Sequence, residues 1–417
     1  MMRKVLRVIS IVTALMAAMT LSCRAPKKVL TEADKQQVKD SILVELPDAP
    51  ELIPLEASFE DKIRLRSYSV NRTNAKPGDT IALTLYFECI EPVGGDFKIF
   101  LHLDGAKQRK TYDHYAINGL YPTSNWKKGE IIKDELPIQL DKGFPAGPAR
   151  LWLGFFDAKA WKEEKKNVRL KVNDAGKSRT DQQDRLLVTS FLIGDLEART
   201  MAVTKTATAP TIDGSPDETM WANALKKGGD FYTTDGKAIP ASEKVEVGML
   251  WDDTNLYVAF KVKDKDLNSQ YTSRDSTLWS GGKRGASDVV EFYFDPGADS
   301  KDYLELQVSP ANVIFDARFE AHRKPAWKEA AKFNMKLDHK VSLDGTLNDG
   351  KADKGYSVEM AIPWTELPGL SGPPTPDKKF RINFYRLSNS GTWASAWAPV
   401  GNDFHDLTLA GTATFIK

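Results

Sequence analysis

From about Phe59 onward, apolar residues recur at every second position in short runs separated by Gly, Pro, Asn and Asp. In KPGDTIALTLYFECI a turn precedes an alternation that puts Ile81, Leu83 and Leu85 on one face, and FKIFLHLDG and ARLWLGFFDA repeat the theme. Successive side chains of a strand point to opposite faces, so period-two alternation predicts half-buried β-strands. This pattern predicts one β-unit over residues 58–197. The small, polar stretch 198–209, which contains TMAVTKTATA, has no core pattern and predicts a boundary. Beyond it, KVEVGMLW, the turn DDTN and LYVAFKVKD read as a hairpin with Leu256, Val258, Phe260 and Val262 facing inward. DVVEFYFD, YLELQVS, GYSVEMAIPWTEL and FRINFYRL continue the series over 203–417. With no alternation of strands and helices, the chain predicts an all-β fold of two β-sandwich domains in tandem.

The N-terminus breaks this pattern. Arg3, Lys4 and Arg7 precede the apolar run VISIVTALMAAMTLS, which ends at Cys23. The run is shorter than the roughly 20 residues of a membrane-spanning helix, and predicts an export signal over 1–22. TLSC resembles a bacterial lipobox, which implies a lipid on Cys23; Arg24 in place of an Asp implies outer-membrane sorting, with plain secretion as the alternative. Residues 23–57 are charged and contain proline, and predict a tether with one short helix capped by Thr31 and Asp34. Lipidation of Cys23 leaves Cys89 single in an apolar run, where it reads as a buried inert thiol; no disulfide framework or Cys-based zinc site is available.

Composition alters little. The 417 residues carry 58 Lys+Arg against 57 Asp+Glu, a formal charge of +1, so no global field points to nucleic acid. Local chemistry concentrates in residues 285–318. In DVVEFYFD, Val289, Glu291 and Tyr293 share one face; in YLELQVS, Tyr303, Glu305 and Gln307 do. A two-residue turn within Ser309-Pro310-Ala311-Asn312 would set Tyr303 opposite Arg318 and Glu305 opposite Asp316. A symmetric preceding loop would set Glu291 opposite Glu305. Carboxylates opposed across a sheet repel, so such a face calls for water, a metal ion or a hydroxyl-rich ligand. Carboxylates beside Arg and aromatic rings suit sugars, because charged groups fix hydroxyls while ring faces cover C–H surface. The same alternation also builds an ordinary solvated sheet face. Asp295, Asp299 and Asp302 in the turn DPGADSKD are candidate calcium ligands, although Asp-rich turns arise for backbone reasons alone.

The order IDGSPDETMWANA, MLWDDTNLYVAFKVKDKDL, DVVEFYFDP, YLELQVSPANVIFDAR, GYSVEMAIPWTEL, FRINFYRL and AWAPVGNDFHDLTLAGTATF resembles the family 9 carbohydrate-binding module, a member of the broader DOMON-like sandwich group. That resemblance covers nearly all of the second domain. It implies a non-catalytic binder of poly- or oligosaccharide without a cofactor, apart from a structural calcium seen in some members. It also implies two Trp side chains clamping a sugar, carried here onto Trp279 and onto Trp397 with Trp393 as a rival. Asp288 and Glu291 match the family's strand motif, Arg318 ends the strand that often carries a ligand-binding Arg, and Trp221, Trp251 and Trp364 are implied to be core. In the first domain, the run from Leu120 to Ala158 resembles an immunoglobulin-like sandwich found in bacterial envelope proteins and carries no catalytic motif; Trp126 and Trp152 read as packing. The expected ligand set is therefore Trp279, Glu291, Tyr303, Glu305, Arg318 and Trp397. Three rival readings stand beside it: an envelope interaction or assembly lipoprotein, a glycoside hydrolase using two of the carboxylates, and a haem-binding DOMON-like protein using His405, Met249 or Met360.

Overall fold

A computed structural model of the protein describes residues 30–276 and 287–417. The expected export signal, Cys23 and Trp279 lie outside the described residues. The helix expected at the start of the tether spans Glu32–Ser41, and a reciprocal cap fixes its beginning: Thr31 Oγ1 accepts from Asp34 N at 3.1 Å, while Asp34 Oδ2 accepts from Thr31 N at 2.9 Å.

The first domain begins earlier than the sequence pattern suggests. Ile42–Leu43 pairs with Ile131–Gln139, Ile53–Phe59 is a full strand, and Leu30, Val38 and Ile42 pack on the core. Much of the expected tether is thus part of the domain. One sheet runs, in spatial order, through 42–43, 131–139, 80–89, 63–70, 53–59 and 172–174. The other runs through 74–75, 186–193, 147–157, 97–104 and 109–111. Ile81, Leu83, Leu85 and Phe87 of one sheet meet Ile99, Leu101, Leu151, Leu153 and Phe155 of the other. In the strand Leu186–Ile193 a register shift between Leu187 and Thr189 moves the inward set from Leu186 and Val188 to Phe191 and Ile193. Trp126 is enclosed in this core. Trp152 lies on the outer face of its strand, where Arg179 and Arg185 stack on its ring at 5.1 and 5.0 Å.

TMAVTK proves to be a central strand of the second domain and not part of a linker. Thr200–Lys205 runs parallel to both Gly411–Ile416 and Val245–Trp251, and it buries Met201 and Val203. The strand is concealed in the sequence because Met201 and Val203 are its only large apolar side chains. The domain is one sheet in the order 314–319, 303–308, 289–295, 379–387, 411–416, 200–205, 245–251, 255–263, 355–363 and 338–344, with short strands 232–233 and 394–396 attached. The sheet curls so that Leu304, Leu306, Phe292 and Phe384 from one end share a core with Val247, Val258, Phe260 and Val358 from the other. Trp221, Trp251 and Trp364 are all buried; the helix Thr219–Gly228 sets Trp221, Ala224 and Leu225 against the outer side of the sheet at Leu250, Tyr257 and Ala259. The opposite end of that outer side carries the acidic residues.

Candidate functional site

The hairpin joining Tyr303–Val308 to Ile314–Phe319 decides which residues meet. Ser309 N donates to Val313 O and Asn312 N to Ser309 O, both at 2.9 Å, and Asn312 sits at φ 58°. The loop is therefore Pro310-Ala311-Asn312, closed by a left-handed residue that Asn tolerates well, and not the two-residue turn expected. One extra residue flips the following strand. Ala317 now pairs with Glu305 and Phe319 with Tyr303, while Asp316 pairs with Leu306 and Arg318 with Leu304 on the other face.

This corrects two expectations. Arg318 does not join the acidic face; its guanidinium forms an exposed two-pronged pair with Asp302 at 2.6 and 2.9 Å. Asp316 is buried and ties distant segments together, accepting from Arg274 Nη2 and from Met335 N, both at 2.6 Å. Because both ends of the Arg318–Asp302 pair are over 40% exposed, Arg318→Ala is expected to change stability by no more than about 1 kcal/mol, read as an unfolding midpoint close to the parent's.

Glu291, Tyr293, Tyr303, Glu305 and Gln307 do share one face. Glu291 lies opposite Gln307, and Tyr293 opposite Glu305, a register two residues from the symmetric one. Like charges are thereby separated by an amide: Gln307 Nε2 donates to Glu291 Oε1 and to Glu305 Oε1, each at 2.8 Å. Tyr271 OH donates to Gln307 Oε1 at 2.7 Å and so fixes the amide's orientation. The face is roofed. Val400, Leu407 and Tyr271 pack over Tyr293, Tyr303 and Tyr385, and Phe404 stacks on Tyr385 at 4.4 Å. His405 enters from the same roof: Tyr303 OH accepts from Arg323 N at 3.1 Å and gives its own proton to His405 Nδ1 at 2.8 Å. That leaves His405 Nε2–H towards Glu305 Oε2 at 3.5 Å.

Electrostatics follow from this enclosure. Burial, opposed by Gln307 and Tyr293, pushes Glu305 up to about 7. Burial and then the charge of Glu305 hold Glu291 well above the ordinary carboxylate range. Burial drives His405 down to about 3, which keeps it neutral. Glu291 Oε2 is enclosed without a hydrogen-bond partner among the described residues.

Trp397 was expected to present a ring to ligand. Instead it is fully buried in the interior core against Phe384, with Nε1 donating to Gly228 O, and Gly411 leaves the space its ring occupies. Its position in the sequence suits either face, and only the sheet's curl turns it inward. Trp393, two residues before the start of the buried Ser395–Val400 run, is the half-buried ring that packs at the rim of the acidic face. Trp327, 48% exposed, sits on the short helix whose Ala330 packs at the far edge of that face. The sequence pattern gave no sign of Trp327, because its segment belongs to no strand. Asp288 proves to be a loop clamp, accepting from Asn268 N at 2.6 Å and Asn389 N at 2.9 Å.

The calcium set is not assembled. Asp302 is engaged by Arg318, Asp295 accepts from Ser300 N, and Asp299 accepts from Lys301 N. Among the described residues no three His, Cys, Asp or Glu side chains group around a point that would hold a metal ion. The haem-ligand candidates are separated as well: Met249 and Met360 lie in the interior core, and His405 lies on the outer side of the sheet.

The family match falls in the second domain. Residues 212–417 match the model of the carbohydrate family 9 binding domain-like family. Endo-1,4-beta-xylanase A of Thermoanaerobacterium saccharolyticum is 24% identical over 216 residues, 48% of this chain and 15% of its own length. Exoglucanase XynX of Acetivibrio thermocellus is 24% identical over 212 residues, 48% of this chain and 16% of its own length. The chain thus spans only a small part of these relatives. Among solved structures, a carbohydrate binding module family 9 from Caldicellulosiruptor kristjanssonii in complex with cellotriose covers 52% of this chain and 94% of its own, at 19% identity and TM-score 0.36. A putative carbohydrate-binding protein from Bacteroides uniformis covers 52% and 100%, at 17% identity and TM-score 0.38. Residues 212–417 of the second domain are thus similar to the carbohydrate family 9 binding domain-like family.

Proposed function

We propose that this protein binds poly- or oligosaccharide without catalysis at a bacterial envelope, in support of polysaccharide catabolism. In this reading it is exported and held at the outer membrane by a lipid on Cys23. The observation that carries the reading is the family match over residues 212–417. The acidic face supports it. Its rim carries the half-buried ring of Trp393 and the exposed ring of Trp327, surfaces suited to the C–H face of a sugar, while the carboxyls themselves are enclosed. Burial argues against hydrolysis, since Glu291 and Glu305 are 2% and 7% exposed and share one amide, which leaves no room for a glycosidic bond between them.

The first ligands to test are xylo- and gluco-oligosaccharides, the classes named by the two enzyme relatives. Affinity electrophoresis or titration calorimetry on the full chain is expected to show binding, with no sugar released. Trp327→Ala and Trp393→Ala are expected to weaken it at least tenfold while circular dichroism stays unchanged. Binding untouched by both variants would remove the face from the site.

One observation favours a second reading. Trp397, a ring the family resemblance places on the ligand, is enclosed in the core, as expected of a sandwich put to use in protein contacts within the envelope. A full chain that binds no member of a broad glycan panel would favour that reading.

A further inference from the structure

The roof over the acidic face is gripped from outside its own domain. Residues 400–408 lie over Tyr293, Tyr303 and Tyr385, and their outward side meets the first sandwich. Asp406 is fully buried; Arg150 Nε bonds to its Oδ2, and Arg179 Nη2 lies 3.4 Å from the same oxygen. The second prong of Arg150, Nη2, donates to Val400 O at 2.5 Å. Ser190, cross-strand partner of Arg150, places its hydroxyl 2.8 Å from Thr408 Oγ1, which itself donates to Asp406 Oδ1 at 2.6 Å. Arg179 is braced in turn by the ring of Trp152. These first-domain groups stand on the outer face of the strands 147–157 and 186–193 or next to it, and the strands' inner faces form the first core. The grip is therefore mounted on rigid elements.

Adjacent residues of the roof face opposite ways. Asp406 is held by the first domain, while His405 is packed against Phe319 at 4.8 Å and reaches Tyr303 and Glu305. The residue before them, Phe404, accepts from Tyr385 OH at 3.0 Å. A rigid two-pronged guanidinium that holds both the Asp406 carboxylate and the Val400 carbonyl fixes the start and the middle of this segment at once.

We infer that the first sandwich is the positioning element of the glycan-binding face: Arg150 and Arg179, through Asp406, set the roof that carries Phe404 and His405 over Glu305. This deepens the proposed function and rests on it for the ligand, but the grip itself can be tested without one. In the full chain, hydrogen–deuterium exchange of amides 400–408 is expected to rise at least tenfold in Arg150→Ala and in Arg179→Ala, while strand 245–251 keeps its protection. Arg150→Lys, which keeps the charge but loses the second prong, is expected to fall between. The affinity for the best glycan is expected to drop at least tenfold in Arg150→Ala and to recover partly in Arg150→Lys. Parent-like exchange of 400–408 in both alanine variants would overturn the grip, and Asp406→Asn provides the same readout from the other side. Raised exchange with unchanged affinity would overturn the positioning role. A parent protein that binds no glycan would refute the proposed function, whereas the exchange result would still decide whether the grip exists.

Discussion

Trp397→Ala is expected to destabilise the second domain by about 3–5 kcal/mol, the cost of emptying a large core site. Its effect on ligand is expected only through that loss. The indole packs on Phe384 at 5.5 Å and over Gly411 within the interior core, and Arg199 stacks on it from the domain boundary at 5.5 Å. It also donates to Gly228 O, which accepts from Arg199 Nη2 at 3.0 Å as well, so the truncation removes one of the two donors to that carbonyl at the end of the helix Thr219–Gly228. Urea unfolding followed by circular dichroism reads the effect as a lowered midpoint. Trp393→Ala, at a half-buried position, is expected to shift the midpoint far less while weakening glycan binding. The reverse pairing, a stable Trp397→Ala protein that has lost affinity, would put the ring back on the ligand.

Raising the pH from 6.5 to 8.5 is expected to lower the stability of the protein, contrary to the behaviour of carboxylates held in ion pairs. Burial raises Asp288, Glu305 and Glu359 to about 7 and holds Glu291 well above its usual range. Each of these groups binds its proton more tightly folded than unfolded. The stability it contributes is complete below its unfolded value and is lost as pH rises through about 7. Between pH 6.5 and 8.5 the loss is roughly 1 kcal/mol for each group near 7, about 3 kcal/mol together. His405, driven down to about 3 by burial, and His339, lowered for the same reason, act in the opposite sense, but only below their unfolded value near 6.5. The alkaline window therefore isolates the carboxyls. His114 in the first domain, raised by Asp134 against the effect of burial, adds to the same trend. Urea unfolding at pH 6.5, 7.5 and 8.5 measures the slope, and Glu359→Gln is expected to remove roughly a third of it. A flat profile would mean that these carboxyls are ionised in the folded protein.

Glu359 shows why such a group persists. It lies at 0% exposure, and its Oε2 accepts from Gly214 N at 2.9 Å and Asp213 N at 3.2 Å, which pins the turn leading into the helix at Trp221. The Asp264–Arg386 pair, 2.6 Å apart and also buried, does the same for the loops around Ser388 and Ser390. Buried polar groups here hold connections that the strands alone leave free.

What was legible in the sequence followed from strand periodicity. Alternation identified the strands bearing Ile81, Val258, Phe292 and Leu306 and the faces they bury, because a side chain's face depends only on its neighbours along one strand. For the same reason Glu291, Tyr303, Glu305 and Gln307 were recognisable as companions from their spacing alone. The strand Thr200–Lys205 was not legible, since two inward apolar residues among Thr and Lys make too short a pattern. Arg318 and Asp316 changed faces because a single left-handed residue, Asn312, lengthened a turn by one. Trp397 was the expected ring and Trp393, four positions away, its rival; the curl of the sheet sent the first into the core and left the second at the rim. The grip of Arg150 on Asp406 joins residues 256 positions apart. The sequence by itself thus determined the all-β character and the composition of each strand face, which are local properties of the chain. Register, burial of the acidic pair and its roof were decided only by tertiary structure, because each depends on which distant surfaces pack together.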